Sequence, residues 1–153
     1  MLAGLAQTTV LHGLGVHGGA LSLVLLVVAW FSARAGAWRG ALFGLAAGVL
    51  EDALAGWTGA AWMLATPLAA ALVGRIGRTS FGDTLFVLVP LVGLAGLLRT
   101  FAFWLALRAL GRAFVVDDFT LHAALWSAAL NATLALVLLV VFPRLRPLHV
   151  ERR

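Results

Sequence analysis

Apolar residues run through this chain in long stretches, and the polar residues gather at the breaks between them. Charges, glycine clusters and prolines divide it into six apolar segments. They run from Met1 to about His12, Ala20 to Ala33, Trp38 to Leu50, Trp57 to Val73, Asp83 to Leu110 and Phe119 to Phe142, with Pro143 and Pro147 following as stop signals. A helix crossing a hydrocarbon core about 30 Å thick needs roughly 20 apolar residues. Six crossings would take about 120 of the 153 positions, leaving tight connections and no room for a soluble domain. The pattern therefore predicts an all-α, polytopic membrane helix bundle, with residues 1–153 forming one integral membrane domain. The first segment rises only about 18 Å as a helix and runs into the turn-rich stretch His12 to Gly19. Five crossings are the alternative count if that segment only dips into the bilayer. No Lys or Arg precedes Arg34, so it lacks the charged head of a secretory signal.

Composition agrees with this reading. Hydrophobic residues make up 63% of the chain and charged residues 11%, against about 45–50% and about 25% in soluble domains. The absence of Cys removes disulfide frameworks, zinc ribbons and thiol chemistry. A formal net charge of +5 is spread over an apolar chain, and no basic run forms a nucleic-acid face. The charges do orient the bundle, because cytoplasmic loops are rich in Lys and Arg. A cytoplasmic tail carrying Arg144, Arg146, Arg152 and Arg153 puts Arg75 and Arg78, then Arg34 and Arg39, on the same side. Both termini are then cytoplasmic. The outer connections carry Glu51 and Asp52 in one case, and Asp117 and Asp118 with Arg108 and Arg112 in the other.

Few residues offer chemistry. Gly40, Gly44 and Gly48 line one face of the third segment and allow a neighbouring backbone to approach closely. That neighbour is either another helix of the same bundle or a partner protein. Arg99 lies about 24 Å along a helix starting at Asp83. A charge at that depth usually faces the protein interior and finds a partner. The expected pair is Arg99 with Asp52, or with Glu51, tying the third and fifth segments together. The competing reading has Arg99 snorkelling to the outer surface. Asn131 is suited to interhelical hydrogen bonding, and Pro90 to a kink. The tryptophans fall mostly near span ends, where aromatic belts sit. His12, His17, His122 and His149 lack metal-ligand spacing. The serines lack a nucleophile elbow, and neither a zinc-protease motif nor a P-loop is present. No enzyme, metal or cofactor is expected.

The stretch from Trp38 to Ala61 resembles the MreD family of rod shape-determining membrane proteins. In that family a Gly-x-x-x-Gly approach leads to a carboxylate, then to a small glycine-containing loop and a Leu/Ala-rich helix. Gly44, Gly48, Asp52, Gly56 and Gly59 hold those places here. Gln7-Thr8-Thr9, followed by an apolar turn and a second apolar segment, is similar to the family's opening. The family often has a proline where this chain has Gly18-Gly19, and its first helix is usually longer. The resemblance implies a non-enzymatic scaffold of the bacterial cell-elongation complex in the inner membrane. It would bind an MreC-like bitopic protein and, indirectly, actin-like MreB, a RodA-like glycosyltransferase and a class B penicillin-binding protein. The family's fold is also similar to the vitamin-binding subunits of energy-coupling-factor transporters, so small-molecule binding is the alternative. A vitamin pocket needs several convergent polar groups, whereas docking needs a small-residue groove such as Gly40, Gly44 and Gly48 would supply. On that ground docking is preferred.

Overall fold

The computed structural model describes residues 21–77, 85–112 and 115–141. The first apolar segment, Arg78 and the tail arginines lie outside these residues. Five helices make up the described chain: α1 Leu23–Ala35, α2 Ala37–Ala55, α3 Ala61–Gly77, α4 Leu85–Ala109 and α5 Asp118–Val141. No strand occurs among the described residues. Two stretches, Val87–Ala109 and Asp118–Val141, are long and apolar enough to cross a membrane; α1 and α3 are apolar but shorter.

Local chemistry sets the helix ends. Ser22 caps α1, its Oγ accepting the Leu25 N–H at 3.1 Å. Gly36, at φ 89°, turns the chain directly from α1 into α2, a conformation that favours residues without a Cβ. Gly56, in the left-handed region at φ 72°, ends α2 by donating its N–H to the Asp52 carbonyl. The α4 terminus closes with the paired bonds Arg112 N–H to Leu107 O and Gly111 N–H to Arg108 O, the Schellman arrangement.

The boundaries differ from the apolar pattern in one place that matters. The third segment was expected to stop near Leu50, but α2 continues to Ala55. Glu51 and Asp52 therefore stand on the last turns of a helix and not in a connection. The next helix begins at Ala61 instead of Trp57, because residues 56–60 form the turn.

The packing inverts the order of a soluble protein. Leu42, Leu45, Val49, Leu68, Leu94, Leu105, Leu125 and Val140 are among many large apolar side chains exposed on the outside. Inside, Ser22, Ser32, Glu51, Thr58, Thr66, Arg99 and Asn131 are buried. Water-soluble monomers rarely expose apolar patches larger than a few hundred Å². Apolar contacts still fill the space between helices. One cluster joins Leu25 and Ala29 of α1 to Ala69 and Val73 of α3, Leu91 and Ala95 of α4, and Leu139 of α5. A second joins Ala61 and Ala65 of α3 to Phe103 and Leu107 of α4.

Candidate functional site

The buried polar groups meet at one guanidinium. Arg99, on the middle turns of α4, is 5% exposed. Its Nη2 donates to Glu51 Oε2 of α2 in an ion pair. Nη1 donates to Ser22 Oγ at the start of α1, at 3.0 Å, and Nε donates to Thr66 Oγ1 of α3, at 3.1 Å. Thr66 Oγ1 in turn donates to Glu51 Oε2 at 3.3 Å. Asn131 of α5 joins through Ser22, whose backbone N–H it accepts on Oδ1 at 2.8 Å. The guanidinium also lies over the Trp62 ring, 4.2 Å from its centroid, a favourable cation–π placement. Trp62 in turn stacks on Phe103 with centroids 3.9 Å apart. Each of the five helices contributes a side chain to this hub.

A buried charge is costly unless it is both paired and hydrogen-bonded. Here both conditions hold. No buried side-chain nitrogen or oxygen among the described residues lacks a hydrogen-bond partner. Snorkelling of Arg99 to the surface is thus not what occurs.

The carboxylate preferred from the sequence was Asp52, and this is corrected: the ion pair uses Glu51. The reason is angular. At about 100° per residue, Gly40, Gly44 and Gly48 span an arc of about 80° on α2. Glu51 falls back inside that arc, about 20° from Gly40, whereas Asp52 lies about 40° beyond Gly48. Asp52 instead crosses the turn to α3. Its Oδ1 accepts Thr58 Oγ1 at 2.5 Å and the Trp62 N–H at 3.1 Å, and its Oδ2 accepts the Met63 N–H at 2.8 Å. It caps the otherwise unpaired first amides of α3. The two neighbouring acids therefore do different work, one in the hub and one at a helix start.

Of the two neighbours open to the glycine face, it is the bundle's own helices that fill it, so the face does not offer the docking groove that favoured a partner. A Cβ on Gly40 would stand 2.5 Å from Ser32 Oγ of α1, and one on Gly44 2.8 Å from the Ala70 Cβ and 3.0 Å from the Thr66 carbonyl of α3. At Gly48 it would strike the Trp62 backbone. These contacts draw α2 and α3 close enough for Glu51 to reach Thr66 and Arg99. Gly59 lies apart from this seam, in the turn at φ 60°, with the Arg112 guanidinium beside it.

Ser22, Thr66 and Trp62 were not expected at the site. Thr66 is buried beside Ala65, Ala69 and Ala70 of α3, but a hydroxyl among small residues does not by itself say which neighbour it faces. Among the described residues no group of three or more His, Asp or Glu side chains is placed to hold a metal ion. No family model, curated protein or solved structure matches this chain.

Proposed function

We propose that this protein is a multi-pass scaffold of the bacterial cytoplasmic membrane. In this reading both termini are inside, and the protein serves the cell-elongation complex by holding an MreC-like bitopic partner. Membrane residence is supported by the apolar exterior, the two long apolar helices and the arginine distribution. The elongation role comes from the resemblance of Trp38 to Ala61 to the MreD family.

The observation that favours a scaffold over a vitamin-binding subunit is how the hub uses its polar groups. Arg99, Glu51, Ser22, Thr66 and Asn131 are the convergent polar set that a small-molecule pocket would need, and they are engaged with one another. Such a hub fixes five helices in one arrangement, which suits a protein that presents a constant outer surface. The MreC-like partner then docks on an outer face, because the Gly40, Gly44, Gly48 stripe is occupied. Depletion in the native host is the test. Rods rounding into spheres, with loss of the MreC-like protein from pull-downs, is the expected result. Unchanged shape with a new vitamin requirement would overturn the scaffold in favour of the transporter subunit.

A further inference from the structure

Large apolar side chains stand in the open at one end of the bundle, where hydrocarbon does not explain them. Backbone outside helices is not exposed to lipid within the hydrocarbon core, because its N–H and C=O groups would go unsatisfied there. Among the described residues, two such stretches lie at the end away from Arg34, Arg39 and Arg75. One is the α2–α3 turn, residues 56–60, and the other is the α4–α5 connection, residues 110–112 and 115–117. In a membrane both stand beyond the oily layer. Yet Trp57 is 59% and Val115 79% exposed, and Leu110 and Val116 are exposed as well. Apolar surface left open to water in this way marks a docking site.

Arg112 joins the two stretches. The paired bonds that end α4 fix its backbone, and its guanidinium lies against the α2–α3 turn, with Nη2 3.2 Å from where a Cβ on Gly59 would stand. Arg112 is exposed. The Arg99–Glu51 contact is the one ion pair among the described residues, so Arg112 has no carboxylate partner there. Asp117, the acid nearest to it in sequence, is turned to the Thr120 N–H. The turn beneath the guanidinium is pinned. Thr58 is buried and donates to Asp52, Gly56, Gly59 and Ala60 all take positive φ, and the Trp57 ring meets Phe103 edge-on with centroids 6.5 Å apart. A tryptophan held outward by fixed neighbours loses little freedom on binding. Trp and Arg are also the residues that most often anchor protein interfaces.

We propose that this rim docks the water-side segment that follows the membrane helix of the bitopic partner. The segment sets an apolar side chain against Trp57 and a carboxylate on Arg112. The inference rests on the scaffold reading above, and adds to it the surface used and the chemistry of what binds there. A carboxylate suits the forked donors of a guanidinium. Protein is favoured over lipid headgroups because headgroup belts are built of Trp and Tyr, whereas Val115 and Val116 gain only from burial against another apolar surface. A contact at the rim also needs nothing from the Gly40, Gly44, Gly48 stripe, which is occupied.

Photo-crosslinking of the full chain in the native host tests this. Benzoylphenylalanine takes the place of Val115 in one strain and, in a second, of Leu68, which is 55% exposed on α3. An adduct between position 115 and the MreC-like protein is expected, mapping to an acid-containing stretch just beyond that protein's membrane helix. In pull-downs, Trp57→Ala and Arg112→Glu should each lower the recovered partner about tenfold. Arg112→Lys, which keeps the charge and loses the fork, should lower it less, about threefold. Both positions lie outside the hub, so the yield of monodisperse protein in detergent should stay at the natural level. Should either variant fold poorly, the adduct from position 115 still decides the matter. An adduct with lipid alone overturns the proposal and makes the rim a headgroup anchor. An adduct from position 68 and none from position 115 overturns it too, placing the partner within the bilayer. Two levels of failure are distinguishable. If the natural chain never recovers the MreC-like protein, the scaffold reading fails, whereas recovery indifferent to Trp57 and Arg112 sinks only the rim.

Discussion

The α2–α3 seam and the α4–α5 seam are both built from small residues, yet they pack differently. At Gly44 an added Cβ would meet α3 atoms at 2.8 to 3.1 Å, closer than side chains tolerate. At Gly93 of α4 the nearest α5 atoms lie at 3.4 and 3.6 Å, in ordinary van der Waals contact. The tight seam is the one that carries Glu51 to Arg99. The looser seam borders an open cleft lined by Leu26, Trp30, Leu88, Val92, Ala135 and Leu139, and Asn131 of α5 joins the hub through the Ser22 backbone. Close approach is not confined to the hub, because at the other end of α3 Gly74 meets Gly36 and Ala37, and Gly77 meets Ala33, just as tightly; what sets the α2–α3 seam apart is that its close approach carries a charged group to its partner.

Breaking the hub should have the largest effect. Glu51→Leu leaves the Arg99 guanidinium buried without its carboxylate, which costs about 3–5 kcal/mol by analogy with other buried pairs. Most of the folded, monodisperse protein should be lost in detergent. The double variant Glu51→Leu with Arg99→Leu should recover much of it, because replacing both partners by apolar groups is often close to neutral. Asp52→Asn should cost far less, about 1 kcal/mol, since it weakens a helix cap and leaves the ion pair intact. A double variant no better than Glu51→Leu alone would mean that the pair does not couple the helices.

The seam comparison gives the next effect. Gly44→Ala presses a methyl against the α3 backbone and should destabilise by about 1–3 kcal/mol in detergent unfolding. Gly93→Ala meets only ordinary contacts and should be close to neutral. Equal losses at the two positions would erase the distinction between the seams. Gly44 is not a clean probe of partner docking, because enlarging it disturbs the bundle first.

How far the sequence alone reaches can be judged from these same residues. Apolar segment lengths located α4 and α5 to within about two residues, because long apolar runs carry a strong signal. The inward guanidinium was legible from its depth in the fifth segment. The choice of carboxylate was also legible in principle, since positions 40, 44, 48 and 51 keep close to 3.6 residues per turn. Ser22 and Thr66 were hidden. Their roles arise where five helices converge, and no linear pattern encodes which hydroxyl faces which neighbour.

The smallest effect concerns a second carboxylate–hydroxyl pairing, this one on the surface. Asp117 precedes α5 and accepts the Thr120 N–H on Oδ1 at 2.8 Å, while its own N–H donates to Thr120 Oγ1 at 2.9 Å, a reciprocal cap. The Thr120 backbone N–H, and secondarily its side chain, hold the Asp117 carboxyl below its ordinary value of 3.8. A lowered value in the folded state means that the unfolded chain binds the proton more readily. The stabilisation is then complete above about pH 4 and is lost as pH falls through the lowered value. Asp117 is fully exposed, so solvent screens the gain. Acid titration of unfolding should show a shallow loss at the low-pH end that is absent in Asp117→Asn. The Glu51 pair, shielded within the bundle, should make the larger contribution at neutral pH. If Asp117→Asn destabilises the protein at neutral pH as much as Glu51→Leu does, burial is not what separates the two pairings, and the contrast between the hub and the surface fails.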